Sequence, residues 1–203
     1  AMSDGATLQV MKREVTRREW KACADAGACE DLTGTIPDGE PDMPMTGVNR
    51  FDVESYLAWV NAESRHQVRL PTATEWKTIA AALPRRKYGK LFDDPRLSWA
   101  ADYGSMPAIS GVIRPSGGFG TLANGISDLA GNVWEWTDTC ARDSFDPSRC
   151  PAYKVEGEHE TAMPIFVRDP FSGGLPAGPP PHHGGFRPPR GDQAPTAFCP
   201  HAP

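Results

Sequence analysis

The sequence predicts a single α+β domain with little regular secondary structure, and three observations carry that expectation. The chain has 203 residues, enough for one domain with a sizeable core. Its 20 glycines and 21 prolines mean that turns and loops interrupt most elements. Helical and strand periodicities nevertheless both occur, each in short stretches.

Residues 7–15 partly alternate between apolar and polar and read as a strand. Thr16-Arg17-Arg18-Glu19 then forms a capping box, in which Thr16 and Glu19 satisfy free backbone N–H groups at a helix start. Trp20, Cys23 and Ala24 share one face of that helix, and Gly27 is its stop. Residues 30–47 lack periodicity and read as loop. A second helix is expected from Asp52, because Val53, Tyr56, Leu57 and Val60 fall at the spacing of one buried stripe. A third follows Pro71. Thr72 and Glu75 make its capping box, Trp76, Ile79, Ala80 and Leu83 its apolar face, and Pro84 ends it.

Residues 85–127 show no strong helix. Val133-Trp134-Glu135-Trp136-Thr137 reads as a short aromatic strand with both tryptophans in the core, and Ile165-Phe166-Val167-Arg168 as another. From Ser172 the chain is rich in Pro and Gly, which favours extended, polyproline-like backbone. The domain is therefore set at residues 1–190, with residues 191–203 a Pro-rich flexible tail.

The net charge of −5 argues against nucleic acid as a partner, since phosphate binding needs a basic footprint. No apolar run approaches the roughly 18 residues of a membrane span. No signal peptide is legible; Ala1-Met2 reads as a cloning remnant, which leaves a removed leader open. Cys23 with Cys29, and Cys140 with Cys150, are each close enough in sequence to close a short loop. Two disulfides imply an oxidising compartment, periplasmic or otherwise exported; the plainer alternative is reduced, buried cysteines. Cys199 is left over.

Five segments, in order, resemble the formylglycine-generating-enzyme (sulfatase-modifying factor) family. They are Glu14-Val15-Thr16-Arg17-Arg18-Glu19-Trp20; Pro44-Met45-Thr46-Gly47-Val48-Asn49 followed by Asp52, Tyr56 and Trp59; Arg69-Leu70-Pro71-Thr72-Ala73-Thr74-Glu75-Trp76; Gly125-Ile126-Ser127-Asp128-Leu129-Ala130-Gly131-Asn132-Val133-Trp134-Glu135-Trp136; and Gly185-Phe186-Arg187. The resemblance spans residues 8–190. It implies a relative of the C-type lectin fold, with helices flanking a small twisted antiparallel sheet. It also implies a structural calcium ion, held by the side chains of Asp128 and Glu135 and the carbonyls of Gly131 and Val133. Hard oxygens of this mixed kind suit calcium. On the other reading, Asp128 and Glu135 bond to loop amides or to an arginine such as Arg69.

Oxidases of the family bind Cu(I) through two nearby cysteines that follow an Arg-Gly-Gly-Ser-Trp motif. Arg168 matches the arginine of that motif, but no cysteine lies between Arg168 and Gly185. Copper is therefore not expected, and no catalytic residue is named. His182-His183 invites a metal reading with His159 or His201; the plainer reading is a solvated pair. The ergothioneine-type relatives carry iron in a separate helical-bundle domain, which these residues do not spell. The leading expectation is an exported, non-catalytic accessory domain that binds a protein or peptide partner in a cleft lined by Arg168, Pro179, His182 and His183. Two alternatives stand beside it: a copper-dependent oxidase modifying a partner protein, and calcium-stabilised, lectin-like glycan binding.

Overall fold

Capping boxes set the helices. In the computed structural model, which describes residues 8–32, 40–81, 83, 94, 96–97, 113–129, 131–141, 150–157, 160–167, 184–185 and 189–191, helix α1 runs over Arg17–Asp25. Its N-cap is Thr16, and Glu19 reaches back to the Thr16 amide at 2.8 Å. Gly27 follows at φ +72°, a left-handed conformation that costs glycine nothing. Helix α2 spans Arg50–Glu63 and so starts two residues before the expected Asp52. Asp52 is instead the third residue of a further capping box whose N-cap is Asn49. Helix α3 spans Ala73–Ile79 with Thr72 and Glu75 in their expected roles. It ends before Ala80 and Leu83, which still pack beside Trp76.

The strands are β1 (Gln9–Val10), β2 (Gln67–Val68), β3 (Trp134–Cys140), β4 (Ala152–Glu156), β5 (Thr161–Pro164), β6 (Gly184–Gly185) and β7 (Pro189–Gly191). Antiparallel pairing of β7 with β1 and β2 makes one small sheet. The other has the order β5-β4-β3-β6, antiparallel except for the β3–β6 pair.

Several sequence expectations are corrected here. The strand expected over 7–15 shrinks to Gln9–Val10. The one expected over 165–168 lies earlier, at Thr161–Pro164; the amide of Val167 bonds back to the carbonyl of Pro164 and turns the chain. Gly191, placed in the tail by sequence, is the last residue of β7. Strand β4 has no counterpart among the elements read from sequence.

The main core joins both tryptophans of β3 to α1 and α2, where Trp20 stacks on Tyr56 with ring centroids 5.7 Å apart. A smaller cluster of Trp76, Ala80, Ile126 and Leu129 lies under α3. Two disulfides, Cys23–Cys29 and Cys140–Cys150, close the loops that the spacing suggested, and they fit an oxidising compartment. Among the described residues no helix is long and apolar enough to cross a membrane.

Candidate functional site: a buried acidic junction between α3 and the sheet

The turn that leads into β3 carries the residues singled out in the sequence. Asp128 and Asn132 both sit in the left-handed region, at φ 63° and 72°. Such backbone costs energy outside glycine, and short polar side chains tolerate it best. Each residue uses its side chain to hold a second loop. Asp128 accepts the amides of Gly117 (2.5 Å) and Phe119 (2.7 Å). Asn132 bonds both the amide and the carbonyl of Arg114, at 3.0 and 3.1 Å. Gly131 lies between them against the ring of Phe119; a Cβ there would stand 3.0 Å from Cδ1. The arginine at 114 in turn lies over the same ring, 5.0 Å from its centroid.

On β3, Glu135 is 1% exposed and accepts the indole N–H of Trp76 at 2.9 Å. This bond fastens α3 to the sheet. Directly across the ladder from Glu135 stands Glu156, fully buried on β4. Opposed residues of an antiparallel pair project from the same face, so two carboxyls share one dry region. Lys77 brings positive charge to it from α3, with Nζ 3.6 Å from Glu156 and closer still to Glu160. Lys154 lies 3.7 Å from Glu160 on the other side. Burial alone would push the Glu160 carboxyl up. The hydrogen bonds from Lys77 and Glu156 and the charges of the two lysines outweigh it and hold the group below its ordinary range.

Arg69 does not reach either candidate ligand. It forms a two-pronged pair with Glu75 at 2.7 and 2.8 Å, which lowers the Glu75 carboxyl and raises the guanidinium. A further arginine, Arg50, passes from α2 to the far end of β3, where it bonds the carbonyl of Thr137 and the side chain of Asp138 and lies 4.0 Å over the Tyr153 ring.

Both expected acidic ligands of calcium bond N–H groups of the protein: Asp128 the loop amides of the alternative reading, and Glu135 the Trp76 indole. Asp128 is 2% exposed, and the hydrogen bonds that described residues give its carboxylate come from neutral amides, which solvate its charge without countering it. Each carboxylate oxygen has two lone-pair directions, so these bonds leave room for an ion. In the same turn the Gly131 carbonyl accepts the Val133 amide at 3.0 Å. The chain has five cysteines, and the two disulfides occupy four of them. Among the described residues no group of three or more His, Cys, Asp and Glu side chains is placed to hold a metal. Arg168, Pro179, His182 and His183, with His159, His201 and Cys199, lie outside the described residues.

Sequence reasoning reached Asp128, Gly131, Val133 and Glu135, but missed Lys77, Glu156 and Glu160. Lys77 directly follows a recognised motif, whereas Glu156 belongs to the strand that gave no signal.

Comparison with known proteins corrects the leading expectation. Hercynine oxygenase of Mycolicibacterium thermoresistibile is 33% identical over 120 residues, covering 54% of this chain and 24% of the relative. Hercynine oxygenase of Mycobacterium tuberculosis is 33% identical over 115 residues, covering 54% and 25%. The chain thus spans about a quarter of the length of these curated relatives. Their names are those of enzymes, which overturns the reading of a non-catalytic accessory domain. In three dimensions the chain resembles PvdO from Pseudomonas aeruginosa, with TM-score 0.60 and 19% identity over 90% of this chain and 80% of that one. It also resembles Treponema denticola variable protein 1, with TM-score 0.57 and 16% identity over 89% and 83%. These likenesses establish the α+β fold. The model of the sulfatase-modifying factor enzyme 1-like domain matches residues 4–190, nearly the whole chain, and the chain therefore belongs to that family.

Proposed function

We propose that this chain is an oxidase-type domain of its family, taking part in the oxygen-dependent oxidation of a small molecule or of a side chain on a peptide. The observation that carries this reading is the 33% identity to enzymes named hercynine oxygenase over more than half of the chain. With four of five cysteines in disulfides, no step is assigned to copper held by paired thiolates. The chain's own contribution is a rigid, dry junction. Trp76 and Glu135 lock α3 to β3, Lys77 balances Glu156 and Glu160, and Asp128 and Asn132 hold the 114–119 loop against the turn. A scaffold of this kind fixes neighbouring loops, where binding and catalytic groups concentrate.

In the same reading, calcium is held by Asp128, Glu135 and the Gly131 and Val133 carbonyls. It supplies counter-charge to buried carboxylates and no redox chemistry. The two disulfides support export to an oxidising compartment such as the periplasm.

The test is oxygen uptake by the purified chain, with hercynine and with a cysteine-containing peptide, each in the presence of ferrous or cuprous salt. Substrate-dependent oxygen consumption, with an oxidised product by mass spectrometry, is expected. A folded protein that consumes no oxygen with any of these pairs would sink the oxidase reading. Elemental analysis tests the ion separately: about one calcium per chain is expected, and chelation should lower the melting temperature.

A further inference from the structure

The two disulfides occupy different mechanical positions. Cys23–Cys29 closes the end of α1, and both of its residues lie in the main core, 0% and 9% exposed. Cys140–Cys150 joins the end of β3 to the chain just before β4, and Cys140 is partly exposed. It also sits where the β3–β4 ladder is irregular. Trp136 pairs with Val155 and Cys140 with Tyr153, so four steps along β3 match only two along β4. The three residues between these pairs, Thr137 to Thr139, stand against Lys154 alone on β4 and do not serve the ladder alone. Arg50 of α2 bonds the Thr137 carbonyl at 3.0 Å and the Asp138 carboxylate at 2.8 Å. The Asp138 amide donates to the Pro71 carbonyl at 2.8 Å, and the Ala73 amide at the start of α3 donates to Thr139 Oγ1 at 2.9 Å. One bulged stretch therefore ties both helices to the sheet. It is closed on β4 by the Thr137 hydroxyl bonding the Lys154 carbonyl, by the Ala141 amide bonding the Ala152 carbonyl, and by the disulfide.

We propose that Cys140–Cys150 is a redox-sensitive latch, whose reduction by a dithiol loosens the bulge that anchors α2 and α3 while Cys23–Cys29 stays closed. The exchange runs in two displacements. A thiolate of the reductant attacks the more accessible Cys140 sulfur and expels the Cys150 thiolate, which takes a proton. The second thiol of the reductant, deprotonated, then displaces the Cys140 thiolate, which is protonated in turn. The reductant leaves as a cyclic disulfide, and two electrons and two protons pass to the protein. Attack requires a reachable sulfur, and partly exposed Cys140 is better placed for it than Cys23 or Cys29, at 0% and 9% exposed. A bulge lacking continuous ladder pairing opens more readily than regular sheet once its covalent closure is gone.

The experiment titrates the intact chain with dithiothreitol, quenches with an alkylating agent, maps the opened cysteines by mass spectrometry and follows amide hydrogen exchange in parallel. Cys140 and Cys150 should be alkylated at reductant levels that leave Cys23 and Cys29 protected. Exchange at Ala73, Asp138 and Ala141 should then rise about tenfold or more, with Trp20 and Ala26 of the α1 region unchanged. The Cys140→Ser/Cys150→Ser variant should reproduce that exchange pattern without reductant; if it does not fold, reduction of the natural chain decides the matter alone. The proposal is overturned if Cys23–Cys29 opens at the same or lower reductant, if opening leaves those three amides unchanged, or if it unfolds the molecule as a whole.

Discussion

Replacing Trp76 with phenylalanine isolates the bond that fastens α3 to β3. The indole is 1% exposed, and its N–H donates to Glu135 at 2.9 Å in a region closed to solvent. A hydrogen bond to a charged acceptor contributes about 1.5–3 kcal/mol. Phenylalanine also leaves part of the indole volume empty, which costs about 1 kcal/mol more in a packed site. The expected loss is therefore about 2.5–4 kcal/mol, a large share of the roughly 5–15 kcal/mol that holds a domain together. With a urea slope of about 2 kcal/mol/M, the unfolding midpoint should fall by about 1.2–2 M. Packing and hydrogen bonding separate in a double-mutant cycle with Glu135→Leu, which removes the acceptor, run with chelator so that ion binding does not enter. A coupling energy of about 1–3 kcal/mol is expected between the two sites. Strict additivity, within about 0.5 kcal/mol, would refute the claim that this bond fastens helix to sheet.

Three further outcomes follow from the same geometry. Thr72→Ala removes the α3 cap and should cost about 1 kcal/mol by urea unfolding, with Thr72→Ser close to neutral. Glu75, held low chiefly by its hydrogen bond to Arg69, has a folded-state pKa beneath the ordinary 4.5; its stabilisation is complete above that value and drains as pH falls below it, so Glu75→Gln should flatten the acid limb of the stability profile. Asn132→Ala removes the short polar side chain that tolerates φ 72° and leaves the Arg114 backbone without two partners, for a loss of about 2–4 kcal/mol that Asn132→Gly should partly recover, read by calorimetry.

The helix starts were legible because their signals are local. Thr16 with Glu19, and Thr72 with Glu75, are chemistry confined to four residues, and both boxes form as the sequence specifies. The start of α2 is harder to place because two polar residues compete for it: Asn49 caps the helix, and Asp52, the expected first residue, answers it from inside the first turn. Strand β4 left no such trace. Its five residues, Ala-Tyr-Lys-Val-Glu, lack clean alternation, since Val155 and Glu156 are both buried and the Glu156 side chain owes its place in part to Lys77, far away in sequence. Asp128 and Glu135 could be named from a motif, yet their partners could not. The 114–119 loop and the indole of Trp76 reach them only once the chain has folded.

The placement of Glu156 bears on what this junction is for. Like charges directly across an antiparallel ladder destabilise it, and burying them raises the cost further. A purely structural sheet would be better served by an apolar residue opposite Glu135. Instead the ladder sets Glu135 against Glu156, brings Lys77 within 3.6 Å from a helix and adds Glu160 at the edge. The tryptophan that precedes Lys77 serves Glu135, so one turn of α3 answers both carboxyls, the first with an indole N–H and the second with an ammonium. Carboxyls gathered in a dry place, with left-handed backbone at Asp128 and Asn132 in the turn before β3, are where local folding preferences yield to something else. An ion that neutralises the Asp128 and Glu135 carboxylates would relieve that conflict. Calcium should therefore change the stability of this chain more than its shape, and a melting temperature indifferent to both calcium and chelator would leave the acidic junction without that rationale.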